Sequence, residues 1–385
     1  MTPAARVGAA IGVLDAWLSG VPAEQALTNW GRGARYAGSK DRAAVRDHVY
    51  DVLRAKGSCA VLGGGGTGRA LMLGLVRLQG ADPAAVFTGE GHAPAPLTAG
   101  EAQAEGPAPD PRLDVPGWTL PMLEARVGDG LPALLEGFRH RAPLFLRVNR
   151  RRATVAQAAA RLAEDGVEAV PDPRAATALE VTSGARRVKA AAAFADGWVE
   201  PQDLSVQRAV AAVDWPAGRI LDYCAGGGGK ALALADLTEA RVFAHDAEPR
   251  RMADLAPRAA RAGVTVTDLP GAGLAGAAPF DAVLCDVPCS GSGTWRRDPE
   301  AKWRLMPERL SALQETQAAI LRKAARLVAP GGRLVYMTCS LFRPENEDQV
   351  ARFLAAHPGW TPEGQGAETP LTASDGFFHA VLRAP

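Results

Sequence analysis

From Arg219 onward the chain alternates short β-like runs with helical stretches, and an aspartate stands at the end of most of those runs. The runs lie at 219–223, 241–245, 264–267, 282–285 and 333–338. Alternation of this kind predicts an α/β fold with a parallel, doubly wound sheet. In such sheets ligands bind outside the carboxyl ends of the strands. Asp222, Asp246, Asp268 and Asp286 are therefore candidates for one shared crevice.

The first run leads into Cys224, Ala225, Gly226, Gly227, Gly228, Gly229 and Lys230, followed by a helical stretch. A strand–glycine loop–helix unit lets backbone approach a ligand closely and aims helix N–H groups at it. A phosphate-binding P-loop does not fit, because Cys224 replaces the first glycine and Ala231 replaces Ser/Thr. A nicotinamide site rests on the glycine loop alone. The aspartate series favours S-adenosylmethionine: Asp246 would bond ribose hydroxyls, and Asp268 would meet an adenine amino group.

Two cysteine segments follow, Asp286–Val287–Pro288–Cys289–Ser290–Gly291 and Thr338–Cys339–Ser340. Both cysteines fall at carboxyl ends of nearby strands, so two thiols are expected beside the methyl donor. Zinc is disfavoured: Cys285 lies inside an apolar run and no CxxC pair exists. No metal site is expected. Cys59, Cys224 and Cys285 read as inert buried thiols. The histidines lack spaced partners and receive no role.

Residues 1–80 carry apolar side chains at helical spacing and predict a small helical bundle. Residues 87–117 are rich in Pro, Gly and Ala and read as a linker, partly extended or mobile. Helical and β-like pieces between 118 and 200 predict a small α/β module. With 47% hydrophobic and 22% charged residues, global disorder is excluded. No apolar run approaches the ~20 residues of a bilayer span, and the apolar N-terminus reads as a helix rather than a signal peptide. Five cysteines, an odd number, suit reduced thiols and a cytoplasmic setting.

The quoted motifs resemble the RNA (cytosine-5) methyltransferase family of the RsmB/Sun type. The matching pieces are DYCAGGGGK, HDAEPRR, DVPCSGSGTWRRDPEAKW, YMTCSLFRPENE and DGFFHA, with the two cysteines 50 residues apart. The resemblance implies four parts. These are a NusB-like all-α domain at 1–86, the linker at 87–117, a small α/β RNA-binding module at 118–200, and a class I (Rossmann-like) methyltransferase domain at 201–385. One departure stands out: the family's Ala-Pro-Gly-Gly-Lys is replaced here by Gly226–Gly227–Gly228–Gly229–Lys230. Losing a proline adds unfolded-state entropy and loop mobility.

The resemblance also implies a mechanism. A cysteine thiolate adds to carbon 6 of cytosine, which makes carbon 5 nucleophilic toward the methyl group of S-adenosylmethionine. Cys339 would be that nucleophile, Cys289 would assist release, and Asp286 would bond the ring near nitrogen 3. DNA cytosine methyltransferases use the cysteine after the fourth strand, which would exchange the two roles. Ribosomal RNA is the expected substrate. Transfer RNA, or a catalytically weak RNA-binding assembly role, is the alternative, and the chain is expected to act as a monomer.

Net charge is +1, which taken alone argues against an RNA partner. The charge is unevenly spread, however: +4 over 1–86, −4 over 87–117, +2 over 118–200 and −1 over 201–385. Residues 137–152 hold six arginines and no acid, and Arg150, Arg151 and Arg152 are candidate phosphate contacts. Arg296 and Arg297, with Trp295, are candidates for base and phosphate contact, as is Trp303.

Overall fold

The computed structural model describes residues 1–103 and 109–385. Residues 104–108 of the expected linker lie outside the described set. The described chain forms two compact units, one of 1–141 with 295–304 and the other of 142–294 with 305–385.

Five helices build most of the first unit: α1 (Pro3–Leu18), α2 (Ala23–Gly33), α3 (Ser39–Arg54), α4 (Lys56–Gly63) and α5 (Gly68–Leu78). Thr2 caps α1 and Thr67 caps α5, each by a side-chain oxygen accepting a backbone N–H. Val13, Leu14, Val45, Val49, Val52, Leu53, Leu71 and Leu75 close a common core. Glycine allows the tight α4–α5 corner. A Cβ on Gly63 would lie 1.8 Å from the Ala70 carbonyl oxygen, and one on Gly74 would lie 1.9 Å from that of Cys59.

The expected linker is anchored in its described parts. Phe87 and Val115 are buried, and the buried Asp114 carboxylate accepts from the Ser58 N–H and hydroxyl at 2.9 and 2.7 Å. Arg139 pairs with the same carboxylate at 2.7 Å. A short stretch distant in sequence completes this unit. Trp295 is fully buried against Phe138, and Lys302 and Trp303 donate to the carbonyls of Arg54 and Leu53. Trp17 and the start of α2 bind the Glu300 carboxylate.

The second unit carries two sheets. The smaller comprises β1 (Leu144–Val148), β2 (Glu168–Pro171), β3 (Ala178–Ser183) and β4 (Val199–Pro201), in the order β2-β3-β1-β4, with all pairs antiparallel. A helix at Val155–Glu164, opened by a Thr154/Gln157 capping box, packs on it. The larger sheet comprises β5 (Arg219–Asp222), β6 (Arg241–Ala244), β7 (Val266–Asp268), β8 (Phe280–Asp286), β9 (Val328–Thr338), β10 (Thr361–Glu368) and β11 (Phe377–Arg383). Its order is β10-β11-β9-β8-β5-β6-β7. Strands β5 to β9 are parallel, and β11 and β10 add an antiparallel edge. The inner parallel strands β5, β6 and β8 and the second half of β9 are buried on both faces, as their Val-, Leu- and Phe-rich sequences require, whereas the edge strand β7 is largely exposed.

The chain leaves β5 for β6 and β7, then returns to β8 on the other side of β5. That reversal creates a crevice at the carboxyl end of β5, where Asp222 and the glycine loop stand. The small sheet is fixed to the same unit by a buried ion pair, Arg147 to Asp236 at 2.5 Å, and by Asn149, which donates to the Gly197 and Ala262 carbonyls. Among the described residues no single helix is long and apolar enough to cross a membrane.

Candidate active site

A cavity of about 390 Å³ opens at the carboxyl ends of β5, β8 and β9. Its size falls within the range of about 300–1,000 Å³ common for small-molecule sites. It is lined by Cys224, Ala225, Gly226, Gly227, Gly229, Lys230, Asp286, Cys289 and Cys339, joined by Arg251 and Arg258.

The loop backbone explains the glycines. Gly226 and Gly228 take φ of +52° and +82°, a region L side chains avoid. A Cβ on Gly228 would also fall 2.3 Å from Leu255 Cδ1. The Gly228 N–H bonds the Ala225 carbonyl, and the Gly226 N–H donates to Asp246 at 2.9 Å. The next helix starts at Gly229, so its first N–H groups face the crevice.

Asp222 lies under this loop, 1% exposed, and neither carboxylate oxygen meets a side-chain hydrogen-bond partner among the described residues. Burial raises its pKa to about 7 against the pull of Lys230. A buried carboxylate that meets only the Ala231 N–H and the field of Lys230, beneath a glycine loop, has acceptor capacity left for a ligand that brings a positive charge or a donor. S-adenosylmethionine, with its ammonium and sulfonium groups, fits that chemistry.

Lys230 donates to Asp286 at 2.5 Å and lies over the Phe377 ring at 5.4 Å. Burial disfavours its charge, yet Asp286 and Asp222 outweigh it and raise the pKa; the field of Cys339 acts in the same sense. Cys289 Sγ and Cys339 Sγ stand 3.3 Å apart. The hydrogen bond to Cys339, with burial, pushes the Cys289 thiol well above its ordinary pKa. Cys224 and Cys285 are raised by burial and by nearby acids, as expected of inert thiols.

One side chain missed by sequence reasoning organises both cysteine loops. Glu345, fully buried, accepts from the Ser290 N–H at 2.8 Å, the Ser290 hydroxyl at 2.5 Å, the Ser340 hydroxyl at 2.5 Å and Gln317 Nε2 at 2.9 Å. Ser290 and Ser340 each follow a cysteine, so one carboxylate sets the register of both thiols. Its signal was present in the segment RPENE, six residues past Cys339. Arg258 and Gln202 were also missed; they bind the Gly227 and Gly229 carbonyls and hold the glycine loop from outside.

The remaining candidates are placed less centrally. Asp246, 3% exposed, braces the loop through Gly226 and its own turn through the Glu248 N–H at 2.9 Å. Its oxygens keep acceptor capacity beyond those bonds. Asp268 stands exposed at the end of β7, and neither aspartate lines the thiol cavity.

Arg150 is exposed, Arg151 donates to the Thr238 carbonyl at 3.0 Å, and Arg152 donates to the Ala262 carbonyl at 3.3 Å. Two of the three thus brace the second unit while remaining exposed. Arg296 bonds the Arg141 carbonyl at 2.9 Å, and Arg297 is exposed. Trp295 is not a stacking platform: its ring lies wholly inside the helical unit, because Phe138 and its neighbours offer it a core. The Trp303 indole is likewise tied to Leu53.

Comparison with known proteins places the chain in a family. Residues 214–382 match the family described as 16S rRNA methyltransferase RsmB/F, and residues 115–187 match its ferredoxin-like domain. The chain is 36% identical over 303 residues to ribosomal RNA small subunit methyltransferase B of Xanthomonas campestris pv. campestris, covering 73% of this chain and 69% of that protein. The protein of the same name from Klebsiella pneumoniae subsp. pneumoniae is 34% identical over 282 residues, covering 69% and 65%. Among solved structures, PH0851 superposes with a TM-score of 0.77 at 24% identity over 99% of both chains. NSun6 from Pyrococcus horikoshii, solved with SFG, gives 0.60 at 18% identity over 70% of this chain and 98% of that one.

Proposed function

The chain belongs to the RsmB/F family of 16S rRNA methyltransferases, and from that premise we propose that it methylates carbon 5 of a cytosine in ribosomal RNA through a covalent adduct on Cys339. S-adenosylmethionine supplies an electrophilic methyl group when bound. The glycine loop, Lys230, Asp246 and Asp286 are the residues that would hold it, with Asp268 toward its adenine end. The observation that carries the reading is the pair of thiols 3.3 Å apart in the cavity of the glycine loop.

The roles rest on the resemblance, and the geometry supplies two thiols in contact to fill them. The contact with Cys339 and burial raise the Cys289 thiol above its ordinary value, so one proton is shared by a close pair of sulfurs. Either sulfur can donate in that contact; the family resemblance of the Thr338–Cys339–Ser340 segment gives Cys289 the assisting role and Cys339 the nucleophile's. Lys230, kept charged by Asp286, adds positive potential at that sulfur. The Cys339 thiolate bonds carbon 6, and carbon 5, now nucleophilic, takes the methyl group. A base, Cys289 as its thiolate in this reading, then takes the carbon 5 proton; the electrons of that C–H bond restore the C5–C6 double bond as the C6–S bond breaks, and Cys339 leaves as a thiolate. Asp286 lies where it can bond the ring during these steps, and Lys230 fixes its carboxylate. The base must be unpaired or flipped to enter a cavity this size. The resemblance would give RNA capture to the module at 118–200, whose part from 142 onward packs in the same unit as the catalytic sheet.

The reading predicts opposite phenotypes for the two cysteines. Cys339→Ala abolishes transfer of labelled methyl groups to 16S rRNA. Cys289→Ala accumulates a protein–RNA adduct that survives denaturing electrophoresis. An adduct in Cys339→Ala instead would exchange the assignments. Bisulfite sequencing of RNA from a deletion strain identifies the position that loses protection; a position in transfer RNA would move the substrate there.

A further inference from the structure

We propose that the helical unit carries a second RNA site, a shelf for one unpaired nucleotide at the corner between α2 and α3. This goes beyond the catalytic reading but rests on its RNA substrate. The Tyr36 and His92 rings lie nearly parallel, 9° apart in plane and 6.1 Å between centroids. Tyr36 is 67% exposed, the most exposed of the large apolar side chains in the described chain. The two rings border a cavity of about 430 Å³ whose walls include Trp30, Ile11 and Gly8.

The cavity is built rather than incidental. A Cβ on Gly8 would lie 2.6 Å from the His92 carbonyl oxygen, so only glycine lets α1 approach the 92–95 segment. Arg69 ties that segment down by donating to the Ala95 and Pro96 carbonyls at 3.0 Å and pairing with Glu101 at 2.8 Å. The shelf is therefore held from two sides.

Its charge suits a polyanion. Arg32, Arg35 and Lys40 lie within four residues of Tyr36 in sequence, are exposed, and have no hydrogen bond or ion pair among the described residues; Arg69 lines the cavity itself. The acid at this corner, Asp41, is neutralised by Arg6 and the Met1 amine. Glu90 is the exposed acid on the His92 side. Three exposed cations on the chain around Tyr36, with Arg69 in the cavity wall, match what single-stranded nucleic acid needs: a base on a ring face and phosphates on cations.

The test uses the full chain and a fluorescein-labelled 12-nucleotide single-stranded RNA, read by anisotropy across salt concentration. Tyr36→Ala should weaken binding about tenfold, and Tyr36→Phe should retain it. Replacing Arg32, Arg35 and Lys40 together with Ala should flatten the log–log salt slope by about two. Wild-type affinity and slope in all these variants would overturn the proposal and leave the corner to another partner, such as an acidic protein. Each variant is also assayed for its melting temperature, which should not change, because these side chains are exposed. The catalytic reading stands or falls separately, on methyl transfer by the wild-type chain.

Discussion

Gly228 is the residue at which the site tolerates least. Its φ is +82° and its missing Cβ leaves room for Leu255. Gly228→Ala should lower S-adenosylmethionine affinity at least tenfold, measured by calorimetry, because both the backbone and the Leu255 contact must shift. Glu345 acts at one remove, through the serines that follow each cysteine. Glu345→Gln keeps the shape but exchanges an acceptor oxygen for an NH₂ donor, leaving one of the donors Ser290, Ser340 or Gln317 unmatched. We expect kcat to fall by about tenfold, with roughly 1–3 kcal/mol lost to one buried unmatched group, while KM for RNA stays near wild type. Equal losses in both would mean that the loops merely unfold. The aspartates and cysteines of the site were legible because each ends a β-like run. Glu345 was visible in RPENE but its role was not, since an acid closing a short helical turn looks the same whether it serves the next helix or braces two loops.

At the scale of elements, the join between the small sheet and the catalytic sheet depends on Arg147 and Asp236. Both side chains are almost fully buried. Arg147→Ala strands a carboxylate and should destabilise the second unit by about 3–5 kcal/mol in urea unfolding. Replacing both residues by apolar ones of similar volume should cost far less. The inner parallel strands could be read from sequence because burial on both faces demands continuous Val, Leu and Phe. Strand β10 could not be. Thr361–Glu368 reads TPEGQGAE, with two glycines, a proline and no apolar alternation. It is a strand because β11 offers it a full antiparallel edge, and tertiary pairing overrides weak local preference. The short exposed β2 was missed for the same reason.

For the whole molecule, the most informative group is Lys302. It is fully buried, and burial lowers its pKa to about 7. Unfolded lysine titrates near 10.4. Between those values the folded state binds fewer protons than the unfolded one, so stability rises with pH across that window. The melting temperature of the first unit should therefore climb from pH 7 to pH 9, below the range where the buried Cys59 thiol, its pKa raised, opposes the trend. Lys302→Met should flatten the climb. In the sequence this lysine sits beside Trp303, which reads as a candidate RNA contact. Charge next to an aromatic does not reveal whether a distant helix covers both. The same ten residues bear on how such a protein can be rearranged over generations. Because 295–304 lies inside the catalytic sequence yet completes the helical core, the helical unit is not a cassette. A recombination breakpoint near 141 would split one hydrophobic core between two genes and leave the indole of Trp295 exposed to water. The two units must be inherited together.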